Sequence, residues 1–165
     1  MGLWQERVVP VLIDRVMASG RLVPLRHRLV APVRGDVLEI GIGGGANLPF
    51  YGRGVRRLVG VDPSPRLLAR AKERAAWMPF PVLLHEGGAE ELPFADASFD
   101  VVVSAWTLCS IADVDRALAE VRRVLRPGGT FRFGEHGLCG ADSRTAAWQH
   151  RLPPLWRRVA GGCHL

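Results

Sequence analysis

The chain of 165 residues contains one lysine, one tyrosine and three cysteines. Its apolar runs are shorter than the roughly 18 residues that a membrane-spanning helix requires, and its first residues lack the pattern of a signal peptide. The cysteines are odd in number and follow no recognisable spacing, which argues against a disulfide framework. We therefore expect one cytoplasmic globular domain with reduced thiols.

Metal binding and nucleic-acid binding are both disfavoured. His136, Cys139, Cys163 and His164 could in principle supply four zinc ligands, but the two pairs are adjacent or three residues apart in a glycine-rich region, so we predict no metal site. The net charge is +6, yet the arginines that carry it are scattered along the chain. A nucleic-acid partner needs a clustered basic face. We predict no such partner, and weak attraction to anionic membranes stays open.

Short apolar segments alternate with helical patterns through the middle of the chain. Ser64 and Pro65 open one helix, and Asp113 opens another in which Val114, Leu118, Val121 and Leu125 form an apolar stripe. A short helix is expected from Ala46. The predicted strands are 37–41, 57–62, 80–84, 99–105 and 130–134. This alternation predicts a doubly wound, Rossmann-like α/β sheet of about five parallel strands in the order 3-2-1-4-5, with ligands at the carboxyl ends of the strands.

The predicted organisation is one domain in three parts: an N-terminal helical cap over 1–34, a cofactor-binding core over 35–136 and a C-terminal helical tail over 137–165. Amphipathic stretches at 3–18 and 22–30 and the tail from 141 to 159 are expected to cover the sheet. The alternative is that these terminal segments form helices that lie on a membrane surface. With either arrangement, the same segments could also form a lid over the substrate.

The segment GIGGGA, from Gly41 to Ala46, fits the dinucleotide fingerprint G-x-G-x-x-G/A, which alone does not identify the nucleoside. Glu39 lies two residues before it, at the end of the strand. A carboxylate there would repel a pyrophosphate and hold an α-amino group. The helix expected after Gly45 would offer its N-terminus to a carboxylate. A ligand that carries an amine, a carboxylate and a nucleoside fits both features.

Asp62 ends the second strand, about 20 residues after the glycines, where a carboxylate binds ribose hydroxyls. Nothing downstream is typical of hydride transfer: Tyr51 has no lysine four residues on, and the sole lysine, Lys72, lies on a predicted helix.

Four motifs then match a family in order and spacing. The segments VLEIGIGGGANL, VGVDPSP, GGAEELPFADASFDVVVSAWTLCSI and VRRVLRPGGTFRF resemble the class I S-adenosylmethionine-dependent methyltransferases, within them the small-molecule group of the ubiquinone and menaquinone biosynthesis methyltransferases. The TLCSI and FGEHG segments and the tail look closest to the methyltransferase-like proteins that methylate alkyl thiols.

The resemblance implies S-adenosyl-L-methionine as cofactor and S-adenosyl-L-homocysteine as product. It places Gly41, Gly43 and Gly45 under the cofactor and Glu39 near its amine, with Asn47 in the same loop. The resemblance implies that Asp62 binds the ribose hydroxyls and that Pro63 closes the site beside the adenine. Ala89 and Glu90 are implied to line the edge of the adenine. Gly88 occupies the position at which relatives often have an aspartate. Ser104 and Trp106 are implied to lie beside the sulfonium.

Methyl transfer is an in-line displacement at an activated sulfonium, so the protein mainly aligns the acceptor and excludes water. A general base is needed only for a protonated acceptor. His136, just past strand five, is our candidate, with Glu135 able to orient it; a histidine that hydrogen-bonds a loop backbone is the alternative. Trp106 is grouped with His136 as catalytic, whereas Cys109 is expected to be a small core residue.

Relatives of this family continue into two further strands beside strand five, whereas this sequence ends at Leu165. We therefore expect strand five to form an edge, which invites self-association, so a homodimer through that edge is one expected assembly.

The function predicted is methyl transfer from S-adenosylmethionine to a small, apolar acceptor molecule. The alternative is a module that binds cofactor but is catalytically incomplete or depends on a dimer. A nicotinamide oxidoreductase is the third hypothesis, which tighter binding of NADH than of S-adenosylhomocysteine would favour. The location expected is the cytoplasm, with peripheral membrane contact left open.

Overall fold

A computed structural model describes residues 20–135 of the chain. Its strands are β1 (Gly35–Ile40), β2 (Val55–Asp62), β3 (Val82–Glu86), β4 (Phe99–Ala105) and β5 (Leu125–Gly134), and its α-helices are α1 (Val23–Val30), α2 (Pro65–Ala75) and α3 (Val114–Val124). Single 3-10 turns lie at Gly20–Leu22, Leu48–Phe50 and Leu108–Ser110. The predicted segments 3–18 and 141–159 lie outside the described residues.

The five strands form one parallel sheet in the order β3-β2-β1-β4-β5, which confirms the predicted topology. In β1, five of six residues are buried, from Asp36 to Ile40. A strand that is covered on both faces buries consecutive residues because alternate side chains enter different layers, and in β1 the buried residues include the charged Asp36 and Glu39. All five carboxyl ends therefore meet at one edge of the sheet.

Two apolar clusters lie on the two faces of the sheet. One contains Val37 and Leu58 with Val30 of α1, Leu68 of α2 and Phe80. The other contains Leu38, Ile40, Val59, Val102 and Phe99 with the α3 residues Ala117, Val121 and Val124. Neighbouring residues of β1, Val37 and Leu38, thus anchor opposite layers.

The helix starts confirm two sequence predictions, and the buried face of α3 corrects a third. The Ser64 hydroxyl accepts from the Leu67 N–H at 3.4 Å, and the Asp113 carboxylate accepts from the Arg116 N–H at 3.0 Å, as N-cap residues do. The apolar stripe predicted through Leu118 was partly wrong, because Leu118 is 37% exposed. The helix is rotated so that Ala117, Val121 and Val124 meet the sheet.

Two other local predictions were wrong. The short helix expected from Ala46 is a series of turns followed by the 3-10 turn Leu48–Phe50. The fifth strand was predicted over 130–134, but β5 begins at Leu125 and includes Pro127, Gly128 and Gly129. The β4–β5 register shifts between Phe99 and Val101, and Gly128 has φ +78°, so an irregular strand start absorbs the turn residues.

The ends of the described region leave two expectations untested. β5 is the last strand of the sheet within residues 20–135, and self-association through it stays a prediction. No helix in that same range is both long and apolar enough to cross a bilayer.

Candidate functional site

The loop after β1 depends on glycines that serve different purposes. Gly41, Gly43 and Gly45 all have positive φ, at 64°, 55° and 77°. A Cβ on Gly41 would lie 2.2 Å from the Thr107 side chain, and one on Gly45 would lie 2.7 Å from Leu48, so close packing requires both glycines. A Cβ on Gly43 would meet nothing within 4 Å. Gly43 therefore faces open space at the carboxyl edge of the sheet.

Asp62, at the end of β2, holds this loop. Its Oδ2 accepts from the Gly43 N–H at 2.9 Å and its Oδ1 accepts from the Ser64 N–H at 2.9 Å. The side chain is 7% exposed, and burial raises its pKa, against the lowering effect of those two hydrogen bonds. Each oxygen retains a lone pair. The carboxylate can thus accept further donors beside the open face of Gly43.

Glu39 is buried, at 1% exposure, and both of its oxygens are engaged. Asn47 Nδ2 donates to Oε1 at 2.7 Å, and the Tyr51 hydroxyl donates to Oε2 at 2.8 Å. Burial raises the pKa of Glu39 to about 7, although hydrogen bonds from Tyr51 and Asn47 and the charge of Arg26 oppose the rise. The carboxyl group therefore responds strongly to any further cation placed beside it.

Arg26 of α1 supplies the positive charge of this network and was missed by the sequence analysis. Its Nη1 donates to the Asn47 Oδ1, and its guanidinium carbon lies 4.7 Å from the centroid of the Trp106 ring. The residue is 4% exposed. A signal existed in the sequence, since Arg26 shares a helix face with Val23 and Val30 at helical spacing.

The helix N-terminus that was expected to bind a carboxylate after Gly45 is absent from the described loop. The Gly45 N–H donates to the Ile42 carbonyl at 2.9 Å, and turns continue to Leu48. A helix dipole at this point was therefore a wrong prediction, because the loop closes on itself before any α-helix begins.

The residues predicted for adenine follow β3 and lie beside the end of β2. The Gly87 N–H donates to the Asp62 carbonyl at 3.2 Å, which fixes the start of this segment. Ala89 is buried, whereas Gly88 and Pro63 are exposed. A Cβ on Gly88 would lie 2.6 Å from Glu90 Oε2. The absence of a side chain at Gly88 thus leaves room for the Glu90 carboxylate.

The end of β4 is bound to the end of β5 through Glu135. Its Oε1 accepts from the Thr107 N–H at 2.9 Å, the Leu108 N–H at 3.0 Å and the Ser104 hydroxyl at 3.3 Å. Trp106 has φ +55°, and its N–H donates to the Gly134 carbonyl at 2.7 Å. Glu135 Oε2 is buried without a hydrogen-bond partner, the one such side-chain atom in the described range.

A cavity of about 320 Å³ lies between α1 and β5, next to this junction. Four of its lining residues are apolar, namely Leu25, Leu29, Trp106 and Phe133, and the others are Arg28, Arg132, Gly134 and Glu135. Leu25 and Phe133 are 51% and 60% exposed. Arg132 Nε donates to the Leu29 carbonyl at 2.7 Å, which ties the two walls together.

The structure therefore brings Glu39, Asn47, Asp62 and the loop glycines into one cluster at the carboxyl edge, with Ser104 and Trp106 on the neighbouring strand end. His136, Cys139, Cys163 and His164 lie outside the described residues, so the proposed base is untested. Within residues 20–135, no group of three or more His, Cys, Asp or Glu side chains is placed to hold a metal ion.

Comparison with known proteins identifies the family. A family described as "Methyltransferase domain" matches residues 38–133, which is more than half of the chain and includes the second half of β1, the glycine loop, Asp62 and most of β5. The chain belongs to the class I S-adenosylmethionine-dependent methyltransferases. The sequence resemblance is thereby confirmed.

Named relatives lie in several branches of these methyltransferases. Human "Thiol S-methyltransferase TMT1A" is 38% identical over 133 residues, 79% of this chain and 54% of that protein. "Demethylmenaquinone methyltransferase" of Deinococcus radiodurans is 38% identical over 109 residues, 63% of this chain and 45% of the relative. The chain thus spans about half the length of these relatives.

Solved structures agree on the fold. A crystal structure of an S-adenosylmethionine-dependent methyltransferase from Thermotoga maritima has a TM-score of 0.64 and 26% identity, and covers 92% of this chain and 68% of the other.

The residues present fit the cofactor that this methyltransferase family implies. An added Cβ on Gly43 would extend into open space rather than into protein, and the carboxylate of Asp62 borders that space with lone pairs for hydroxyl donors. Glu39 offers negative charge to an ammonium group.

Proposed function

We propose that this protein transfers the methyl group of S-adenosylmethionine to a small, apolar acceptor. The observation that carries the proposal is the hydrogen bond from the Gly43 N–H to Asp62 at 2.9 Å, which joins the glycine loop to the carboxylate beneath an open face. That arrangement suits a nucleoside with ribose hydroxyls on Asp62.

Each residue of the cluster has a distinct task in this proposal. Asp62 accepts from the ribose hydroxyls, and Ala89 and Glu90 border the adenine. Glu39, oriented by Asn47 and Tyr51, stabilises the ammonium group, while a diphosphate there would be repelled. When bound, S-adenosylmethionine supplies a methyl group that is already activated on a sulfonium.

The acceptor is proposed to lie in the cavity between α1 and β5. Leu25, Leu29, Trp106 and Phe133 line it beside the charged Arg28, Arg132 and Glu135, so the cavity suits an acceptor with an apolar body and a polar group. Relatives named as thiol S-methyltransferase and demethylmenaquinone methyltransferase support acceptors of this character. The protein's contribution to rate is alignment and exclusion of water, for which orientation can supply about 7 to 11 kcal/mol.

The test combines binding with turnover. Calorimetric titration with S-adenosylhomocysteine and with NADH is run beside a radiolabelled methyl-transfer assay on 1-hexanethiol, an alkylated quinol and hexylamine. Tighter binding of S-adenosylhomocysteine together with transfer to one of these acceptors supports the proposal. Tight binding without any transfer favours the catalytically incomplete module, and tighter binding of NADH favours an oxidoreductase.

A further inference from the structure

The cavity between α1 and β5 opens to solvent beside two exposed apolar side chains. Leu25 and Phe133 both line the cavity, and they are 51% and 60% exposed. Apolar side chains that are grouped at a surface mark sites of interaction more often than single exposed ones do. The proposed function assigns the inside of the cavity to the methyl acceptor and gives these exposed side chains no other role.

Positive charge surrounds the two apolar side chains. Residues 20–34, which include α1, contain four arginines, one histidine and no aspartate or glutamate. Arg28 is exposed and lines the cavity beside Leu25. Arg21, which is also exposed, lies four residues before Leu25. We refer to Leu25, Arg28 and Phe133 as the cavity rim, and it combines apolar groups with an exposed cation.

The remaining charged residues of the cavity do not cancel this positive charge. Among the described lining residues, Glu135 alone carries a carboxylate. Its Oε1 accepts from two backbone N–H groups at the end of β4, at 2.9 and 3.0 Å, and its Oε2 is buried. Arg132 donates to the carbonyls of Leu29 and Arg28, at 2.7 and 3.0 Å, and adds a second guanidinium to the lining. An anionic surface that approaches the rim therefore meets net positive charge.

We propose that the cavity rim docks on the surface of a bilayer that contains anionic lipids. Leu25 and Phe133 enter the interface, and Arg28 and Arg21 bind lipid phosphates, as guanidinium groups do readily. A nucleic acid or an acidic polypeptide would pair with the arginines but would offer no apolar interior to Leu25 and Phe133. The inference rests on the proposed function in one respect: an apolar acceptor dissolved in the bilayer would enter the cavity without crossing water.

Vesicle binding tests the inference without turnover. The full chain is sedimented with vesicles of phosphatidylcholine, and with vesicles of phosphatidylcholine and phosphatidylglycerol in equal parts, at low and high concentrations of potassium chloride. We expect the chain to partition at least tenfold more strongly to the anionic vesicles. High salt should weaken this partitioning because it screens exposed charges.

Matched variants are needed because the net charge of +6 attracts the chain to anionic vesicles in any orientation. Leu25→Gln is compared with Leu83→Gln, since Leu83 is 55% exposed on β3, at the opposite edge of the sheet. Arg28→Gln is compared with Arg122→Gln, which removes the same charge from an exposed position on α3, on the other face of the sheet.

The two rim variants should each weaken partitioning about fivefold, which corresponds to about 1 kcal/mol. Their controls should change it by less than about twofold, because their positions lie away from the docked surface. Urea unfolding followed by far-UV circular dichroism verifies that all four variants fold, as exposed positions allow.

Binding to anionic vesicles that both rim variants weaken and both controls retain supports the inference. Equal binding to the two kinds of vesicle overturns it, as does absence of binding, or an equal effect of a rim variant and its control. Vesicle binding that responds to Arg28→Gln but not to Leu25→Gln, together with equally tight binding of poly-L-glutamate, overturns it in favour of an acidic polypeptide.

Methyl transfer to 1-hexanethiol without vesicles, measured in parallel, separates this inference from the proposed function. Transfer by a chain that does not bind vesicles rejects the docking surface and keeps the proposed function. Binding to vesicles through the rim without transfer to any acceptor keeps the docking surface and rejects the proposed function.

Discussion

The guanidinium of Arg26 lies 4.7 Å from the centre of the Trp106 ring, and its Nη1 donates to Asn47. This one side chain therefore joins helix α1 to the glycine loop and to the end of β4. Because Asn47 in turn donates to Glu39 at 2.7 Å, the position of α1 is coupled to the buried carboxyl group.

We expect Arg26→Lys to lower the free energy of unfolding by about 2 kcal/mol, because lysine keeps the charge but loses the planar contact with Trp106 and the hydrogen bond to Asn47. Urea unfolding followed by far-UV circular dichroism measures the change. Arg28→Lys, an exposed position on the same helix, is the control and should alter stability by less than about 0.5 kcal/mol. Equal effects of the two substitutions would refute a bridging role for Arg26.

Asp62→Ala should weaken S-adenosylhomocysteine binding at least tenfold, which corresponds to about 1.4 kcal/mol. The substitution removes the predicted ribose contact and also frees the Gly43 and Ser64 N–H groups. Calorimetric titration gives the dissociation constant, with Asp115→Ala on the exposed side of α3 as the control. An unchanged affinity would remove Asp62 from the site.

Gly43→Ala should weaken cofactor binding, whereas Gly128→Ala, which should lower the free energy of unfolding by a similar amount, should not. Gly43 and Gly128 both have positive φ, 55° and 78°, and a Cβ on either meets nothing within 4 Å. Alanine at each position therefore costs a similar amount of backbone strain, about 1 to 2 kcal/mol. Only the methyl group at Gly43 would enter the proposed cofactor space. Titration with S-adenosylhomocysteine should separate the two variants, and equal affinities would argue that the cofactor does not approach Gly43.

Local patterns predicted the sheet well. The apolar runs of β1 and β4, the cap residues Ser64 and Asp113 and the glycine loop are each encoded within a few neighbouring residues, and their order determined the topology. The position of Asp62 at the carboxyl edge followed directly, because parallel strands end on the same side.

Contacts between distant segments escaped prediction. Arg26 meets Asn47 across 21 residues and Glu135 meets Thr107 across 28, and no local periodicity records either pairing. The helix expected at Ala46 failed for a related reason: the loop is closed by tertiary packing of Gly45 against Leu48 and Ala71 rather than by local helix propensity.

Arg123 should be the main support of the segment that precedes β4. Its guanidinium donates to the carbonyls of Phe94 and Leu92, at 2.7 and 2.9 Å, and to Glu120, whose carboxylate also accepts from the Leu92 N–H at 2.7 Å. We expect Arg123→Ala to lower the free energy of unfolding by about 2 kcal/mol at pH 7. Arg122→Ala, its exposed neighbour, serves as the control in urea unfolding.

The contact between Arg123 and Glu120 makes the stability change caused by Arg123→Ala dependent on pH. The hydrogen bond from Arg123 lowers the pKa of Glu120 from 4.5 to about 2. A depressed carboxyl pKa adds stability above pH 4.5 that is lost as the pH falls towards 2. The difference between Arg123→Ala and the unmodified protein should therefore shrink over that interval. A difference that stays constant down to pH 2 would show that the ion pair contributes nothing.

Cofactor binding should release protons near neutral pH, because Glu39 has a pKa of about 7 in the free protein. An ammonium group beside it favours the ionised carboxylate and lowers that pKa. Part of the population is protonated at pH 6.5, so binding of S-adenosylhomocysteine expels a fraction of a proton, and affinity rises from pH 5.5 to 7.5. Calorimetry in buffers with different ionisation enthalpies counts the protons released. Glu39→Gln should abolish both the release and the pH dependence, whereas Glu73→Gln should leave them unchanged. If the affinity is constant from pH 5.5 to 7.5 and no protons are released, the ammonium group lies away from Glu39. The electrostatic preference for an amino-acid nucleoside over a diphosphate would then lose its physical basis.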